Sequence, residues 1–416
     1  MRISLNALLY AFKLSFIKRE MKKVEVLIFL LVLSLNSCVK KTHEDISDSY
    51  RLHESEQRIE IPVADDVKIY SYAFHHYEDI DGVEYLTLEN SRGYESAYGK
   101  INFYRLDSCK LSHTVQINRE GPNSIPSFDG HGVINLDDIV VSTSREKMYR
   151  VNRKGEILRE YPLSKGLDPT SVTLSMMWSF CYNPLVCIDG KIYADQILPY
   201  TRWNGDPYGN NFEFDKCPLS IVLDTVTGDC SHSKLTFPKL FEKTKTMGKC
   251  SRYSRIYDGK RFVYSFYRLP ELYVSEDGET GRRVASKSRY IDEIKNEGHS
   301  TPLSNIESSK LYYSLPSYGN ILYDKYRDVY YRFCRLGTER FLDGKDQTFC
   351  WNDFTIMIIN SDFEVIGETF FKEGKYVPQL FFVNKDGLWL SENNSMRDDM
   401  TDDVLKFRCL KLVENE

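Results

Sequence analysis

The 416-residue sequence lacks a long apolar run: the stretch from Val26 to Leu35 spans about ten residues, against the roughly 20 that a membrane-spanning helix needs. It also lacks concentrated basic charge. The formal net charge is −5 and no Lys/Arg run stands out, which argues against nucleic acid as a partner, since phosphate binding needs clustered basic surface. There is no C-x-x-C pair, which argues against a zinc knuckle and a thioredoxin-like redox site. Nor is there a G-x-S-x-G nucleophile elbow, an H-E-x-x-H zinc motif or a phosphate-cradling glycine loop. Sustained helical spacing is scarce as well, so helical bundles and α/β folds are disfavoured.

What is present begins at the N-terminus. Lys22 and Lys23, the apolar run and then Leu35-Asn36-Ser37-Cys38 have the form of a cleavable export signal ending at a cysteine that can be lipidated. Residues 1–37 read as signal peptide, with Met21 a more ordinary start than Met1. Cys38 reads as the lipidation site and residues 38–55 as a flexible tether, because they are rich in Lys, Ser, Asp, Glu and His. Removing the signal takes the charge to about −9. The expected location is therefore the cell envelope, on the periplasmic or the surface side, with the outer membrane as the anchoring bilayer. The body is expected to be a monomer.

Nine cysteines follow Cys38, an odd number that cannot pair fully within one chain. An exported compartment permits disulfides, and Cys181 with Cys187 is the expected local bridge. The rest read as small buried apolar residues.

Residues 56–416 consist of alternating, β-branched and aromatic runs punctuated by Gly, Asn and Asp. One unit recurs six times, a turn followed directly by an apolar strand. It occurs at Asp81-Gly82, Asp137-Asp138, Asp189-Gly190, Asp258-Gly259, Arg327-Asp328 and Asp386-Gly387, about 60 residues apart on average. Each copy but the last leads into a hairpin, and two hairpins align without a gap: Val151 to Leu158 against Ile359 to Ile366. A four-stranded sheet cannot bury both faces alone, and six of them stacked radially hide those faces and leave short edges. The fold expected is an all-β six-bladed propeller. The sixth module runs out at Val404 to Leu412, so its missing strand is expected from Arg58 to Val63, with Pro62 suited to an outer edge.

The lipobox at Cys38, the Arg119-Glu120-Gly121-Pro122-Asn123 turn and the strand repeats together resemble the Bacteroides-type TolB-like six-bladed propeller lipoproteins, a family of unknown function. The resemblance implies a cell-envelope lipoprotein with a propeller body and brings no catalytic residues with it.

Candidates for chemistry are sparse. Ser275 to Thr280 only approximates a sialidase-type Asp-box and reads as a hairpin turn. His75 and His76 are adjacent on a strand and must point to opposite faces, so they cannot share one metal. The acidic stretch Arg397 to Asp403 reads as a solvated loop rather than a Ca²⁺ site. Loop length is more informative: Asn90 to Lys100, Pro199 to Pro218, Leu336 to Asp353 and Glu392 to Asp403 are long connections between the second and third strands of a blade, and long loops on a rigid scaffold are where binding usually resides. They carry Tyr94, Tyr98, Tyr200, Arg202, Trp203, Tyr208, Arg340, Trp351 and Arg397. Aromatic faces beside a guanidinium fork suit a sugar ring or a protein partner.

The leading expectation is a ligand-binding or protein-interaction scaffold for a glycan, peptide or envelope partner, not expected to be an enzyme and expected to need no cofactor. The alternative is a hydrolase or lyase with a divalent metal at the propeller axis, where Asp, Asn or Glu ligands supplied one per blade leave no local motif.

Overall fold

A computed structural model describes residues 48–64, 75–90, 98–127, 129–143, 147–163, 165–167, 179–195, 217–238, 252–294, 314–338 and 352–415. Their regular elements are strands, in six four-stranded antiparallel sheets. Blade 1 is β2 (His75–Ile80), β3 (Val83–Asn90), β4 (Tyr98–Arg105) and β5 (Lys110–Asn118); blade 2 is β6 (His131–Asn135), β7 (Asp138–Ser142), β8 (Lys147–Val151) and β9 (Ile157–Pro162). Blade 3 is β10 (Val186–Ile188), β11 (Lys191–Asp195), β12 (Ser220–Asp224) and β13 (Cys230–His232); blade 4 is β14 (Tyr253–Tyr257), β15 (Phe262–Phe266), β16 (Leu272–Ser275) and β17 (Arg282–Val284). Blade 5 is β18 (Ser317–Asp324), β19 (Val329–Arg335), β20 (Phe354–Asn360) and β21 (Val365–Phe371). Blade 6 takes β22 (Val377–Asn384), β23 (Gly387–Ser391) and β24 (Val404–Glu414), and is completed by β1 (Tyr50–Pro62).

The six recurrent turns each join the first and second strands of a blade. In blades 1 and 3 the hairpin loop has two residues, and both have positive φ: Asp81 52° and Gly82 78°, Asp189 48° and Gly190 75°. That is the turn whose twist matches paired strands, and Asp-Gly is the pair that adopts it at little cost. Blades 4 and 5 use four-residue turns. There Asp258 Oδ1 accepts from the Lys260 and Arg261 amides and Asp324 Oδ1 from the Tyr326 and Arg327 amides.

The gapless hairpin pair is reproduced atom for atom at the join of third and fourth strands. Asn152 Oδ1 accepts from the Lys154 and Glu156 amides at 2.9 and 3.0 Å, and Asn360 Oδ1 from the Asp362 and Glu364 amides at 3.1 and 2.8 Å. The positive-φ position holds Gly155 (76°) in one copy and Phe363 (66°) in the other. A Cβ on Gly155 would lie 1.9 Å from the Gln116 carbonyl oxygen. Phe363 tolerates the backbone cost of this region, about 1–2 kcal/mol for a non-glycine residue, because its ring is buried and stacks on Tyr330 at 5.3 Å.

β1 pairs antiparallel with β24, with Arg58 opposite Arg408 and Pro62 opposite Val404, so the first strand fastens the last as expected. The pairing also reaches back to Tyr50 opposite Glu414, into the stretch assigned to the tether. Leu52 is the reason: it is buried among Tyr331, Ile356 and Phe381, and its amide donates to Thr369 Oγ1 at 2.8 Å.

Closure is visible in the packing. Six buried apolar clusters each join two successive blades, and the one between blades 6 and 1 combines Ile61, Phe382 and Phe407 with Leu86 and Tyr104. Arginines add polar latches on the turn side. Arg261 donates to the Ser361 carbonyl of blade 5, Arg327 to the Asn384 and Lys385 carbonyls of blade 6, and Arg159 to the Thr225 and Val226 carbonyls of blade 3.

The expected Cys181–Cys187 bridge is not formed. Neither residue is in a disulfide, and neither are Cys109, Cys217, Cys230, Cys334 and Cys409. Cys181 instead directs its thiol to the Gln379 carbonyl of blade 6, while Cys187 sits exposed on β10.

Candidate functional site

Because strands one to two and three to four are joined by tight turns, every other connection emerges at the opposite end of the blades. The second-to-third-strand connections and the blade-to-blade connections share this end. Among the expected contact residues, Tyr98 and Arg397 fall within the described chain; Tyr94, Tyr200, Arg202, Trp203, Tyr208, Arg340 and Trp351 lie outside the described residues, as does Cys38.

Tyr98 opens β4 with its ring 37% exposed and Lys100 Nζ 5.3 Å from its centroid. Arg397 is held differently. Its Nε and Nη2 donate to the two carboxylate oxygens of Asp399 at 2.8 and 2.9 Å, and its Nη1 lies 3.9 Å from Glu392. Glu392, almost wholly buried, also pairs with Arg58 at 3.3 Å and Arg408 at 3.4 Å. The guanidinium beside Asp399 holds that exposed carboxyl down at about 2. The acidic stretch is thus an ion-paired turn. Ser275 to Thr280 is the β16–β17 turn, where Asp277 Oδ1 accepts the Thr280 and Glu279 amides.

Polar chemistry the sequence did not announce lies at the loop end between blades 1 and 2. Thr87 and Glu89 alternate on β3 and so share a face. His131 opens β6 and bridges them: Nδ1 is 3.0 Å from Glu89 Oε2, and Nε2 is 2.8 Å from Thr87 Oγ1. His76 sets its ring edge against that of His131, with centroids 4.6 Å apart. All four are buried. Burial, and then the neighbouring His131 and His75, hold the His76 imidazole well below its ordinary pKa. Among the described residues, Glu89 Oε1 and His76 Nε2 have no hydrogen-bond partner.

His75 points the other way, as its position next to His76 requires. Its Nε2 lies 2.8 Å from the Phe381 carbonyl of blade 6. Carboxylate, imidazole and hydroxyl in line is the arrangement that activates a nucleophile. Here the Thr87 hydroxyl is fully buried and also lies 3.3 Å from the His76 carbonyl, so the array ties β2, β3 and β6 together. The spacing signal was present but faint: His76 and His131 occupy nearly matching positions ahead of the turns at Asp81 and Asp137.

The segment from Phe180 to Asn183 ties several blades together near the axis. The Tyr182 carbonyl accepts from Ser254 Oγ and the Arg255 amide of blade 4, while Cys181 reaches blade 6. Burial pushes the Cys181 thiol up. Beside it, Arg255 Nη1 lies 2.8 Å from Asp195 Oδ1, both side chains fully buried. The contact is close enough for charge pairing but out of line for a hydrogen bond, since neither Asp195 oxygen has such a partner among the described residues. Burial pushes the Asp195 carboxyl up to about 6, against the pull of Arg255. Arg332 is buried without a carboxylate; backbone carbonyls of Leu269, Pro270 and Ser286 accept its N–H groups at 2.6–2.8 Å. Among the described residues no group of three or more His, Cys, Asp or Glu side chains is arranged to hold a metal ion.

Residues 49–370 match the model of a family described as a domain of unknown function, DUF4221. A crystal structure of a DUF4221 family member from Bacteroides vulgatus ATCC 8482 is similar with a TM-score of 0.78 at 23% identity, covering 89% of this chain and 100% of that one. Looser similarity extends to a periplasmic gluconolactonase from Pseudomonas aeruginosa, with a TM-score of 0.41, 12% identity and coverage of 82% and 88%. It extends also to a virginiamycin B lyase from Staphylococcus aureus, with a TM-score of 0.39, 12% identity and coverage of 87% and 100%. No curated protein matches the sequence.

Proposed function

The chain belongs to the DUF4221 family, and from that premise we propose that it is a lipid-anchored envelope protein whose loop-bearing face binds a glycan, a peptide or another envelope component. The observation that carries this reading is the asymmetry of the ring. One end is closed by short repeated turns and inter-blade arginines. The other gathers the long, mutually dissimilar connections, and four of them carry the aromatic and arginine residues named above. A rigid base under variable loops is the usual construction of a recognition surface. The Cys38 signal supports the envelope location.

The chain lacking residues 1–38, immobilised and exposed to a glycan array and to envelope extract, is expected to retain a component. That retention should fall at least tenfold in Trp203→Ala or Trp351→Ala. Retention that is unchanged in both variants, or no retention at all, would count against the reading.

A further inference from the structure

The point where the chain leaves the propeller is itself marked by exposed aromatic surface. The first described residue, Asp48, accepts from Arg289 Nη2 at 2.9 Å, and its carbonyl accepts from Asn415. Leu52 is bonded to Thr369 of β21. The exit therefore lies on the outer rim, over the last strand of blade 5 and the segment following β17. Directly adjoining these residues are Tyr290, next to Arg289, and Phe370, next to Thr369. Their rings lie 5.8 Å apart and are 44% and 41% exposed.

Single exposed apolar side chains are ordinary. A ring pair at the chain exit has a specific neighbour available, because only nine residues lie between Cys38 and Asp48. Even fully extended they reach about 35 Å, so an acylated Cys38 keeps this rim near the bilayer. A tethered contact needs little affinity of its own, since the tether supplies the effective concentration. Tyr290 suits the headgroup region, where its apolar ring and its hydroxyl are both accommodated, and the Phe370 ring beside it adds apolar surface.

We propose that the rim formed by Tyr290 and Phe370 seats in the lipid headgroup region, as a second membrane contact beside the acyl chain. This leaves the loop-bearing face uncovered. The inference rests on the reading of Cys38 as acylated, and the test separates the two.

The full-length chain, purified with its native N-terminus and reconstituted on vesicles of phosphatidylethanolamine and phosphatidylglycerol (3:1), would carry photoreactive benzoylphenylalanine at one of three places. Phe370→benzoylphenylalanine and Tyr290→benzoylphenylalanine test the rim. Val226→benzoylphenylalanine, at a turn residue 78% exposed, is the reference. Lipid adducts, detected by mass spectrometry after illumination, are expected from positions 370 and 290 at five times or more the yield from 226. Equal yields from all three, or cross-links from 370 to a second copy of the chain, would overturn the proposal while the chain still floats with the vesicles. A wild-type chain that neither floats nor carries an acylated Cys38 would overturn the underlying reading instead.

Discussion

His76 shows how a single side chain records its surroundings in the pH dependence of the whole fold. Burial and two neighbouring imidazoles hold it neutral, whereas the unfolded chain takes up a proton near pH 6.5. Its folded pKa is depressed, so stability is complete above about pH 6.5 and is lost as pH falls below that value. The slope approaches about 1.4 kcal/mol per pH unit while only the unfolded chain is protonated. Asp195 and Glu78 run the other way. Burial pushes them up to about 6 and about 8, so the folded state keeps protons that the unfolded chain releases, and acidification toward pH 4 favours folding through them. The net slope of the wild type is compressed by this opposition, and the difference between variants isolates His76. His76→Phe keeps an aromatic edge against His131, and its urea-derived stability relative to that of the wild type should rise as pH falls from 6.5 to 5. Parallel curves would show that His76 does not stay neutral in the fold.

At the scale of elements, ring closure depends on β1, the one strand that belongs to a blade far from it in sequence. Ile61 is fully buried in the cluster that joins blades 6 and 1, while Glu60 beside it is exposed. Ile61→Ala should therefore cost about 2–5 kcal/mol, the range for deleting a buried branched side chain. Glu60→Ala should stay within about 0.5 kcal/mol of wild type. Equal effects in chemical denaturation would mean that β1 lies on the surface without closing the ring. The same element shows what the sequence could disclose. Turns such as Asp81-Gly82 were legible because positive φ restricts the residue types to a short list, and Ile59 to Val63 was legible because its alternation had no module of its own. The extension from Tyr50 to Gln57 was not, since it is mostly polar and is held by Leu52, Thr369 and the pairing with β24 rather than by a pattern of its own. The Thr87–Glu89–His131–His76 cluster was hidden for a related reason: it assembles from three strands of two blades, and proximity of that kind leaves only a weak offset between repeats.

The whole molecule divides its labour by end. The turn end carries a tight turn with an aspartate in each of the six blades, in two- and four-residue forms, because each blade must close against the next. The loop end is constrained only where a connection begins and finishes. Blade 3 offers the sharpest test of that division. Asp195 and Ser220 face each other across β11 and β12, so the strands are registered without help from most of the chain between them. Cys217 and Leu219 are buried in the blade 3–4 cluster and Pro218 bridges to Thr236, so those residues belong to the scaffold and stay. Replacing residues 198–214 by a four-residue Gly/Ser link removes Tyr200, Arg202, Trp203 and Tyr208 together. Loop-closure entropy changes only logarithmically with length, by under about 1 kcal/mol for such a shortening, so the urea midpoint should hold within that margin. Retention of the component captured by the loop-bearing face should disappear. A shortened chain that fails to fold would make the segment part of the scaffold, and one that folds and still captures the component would remove blade 3 from the recognition surface.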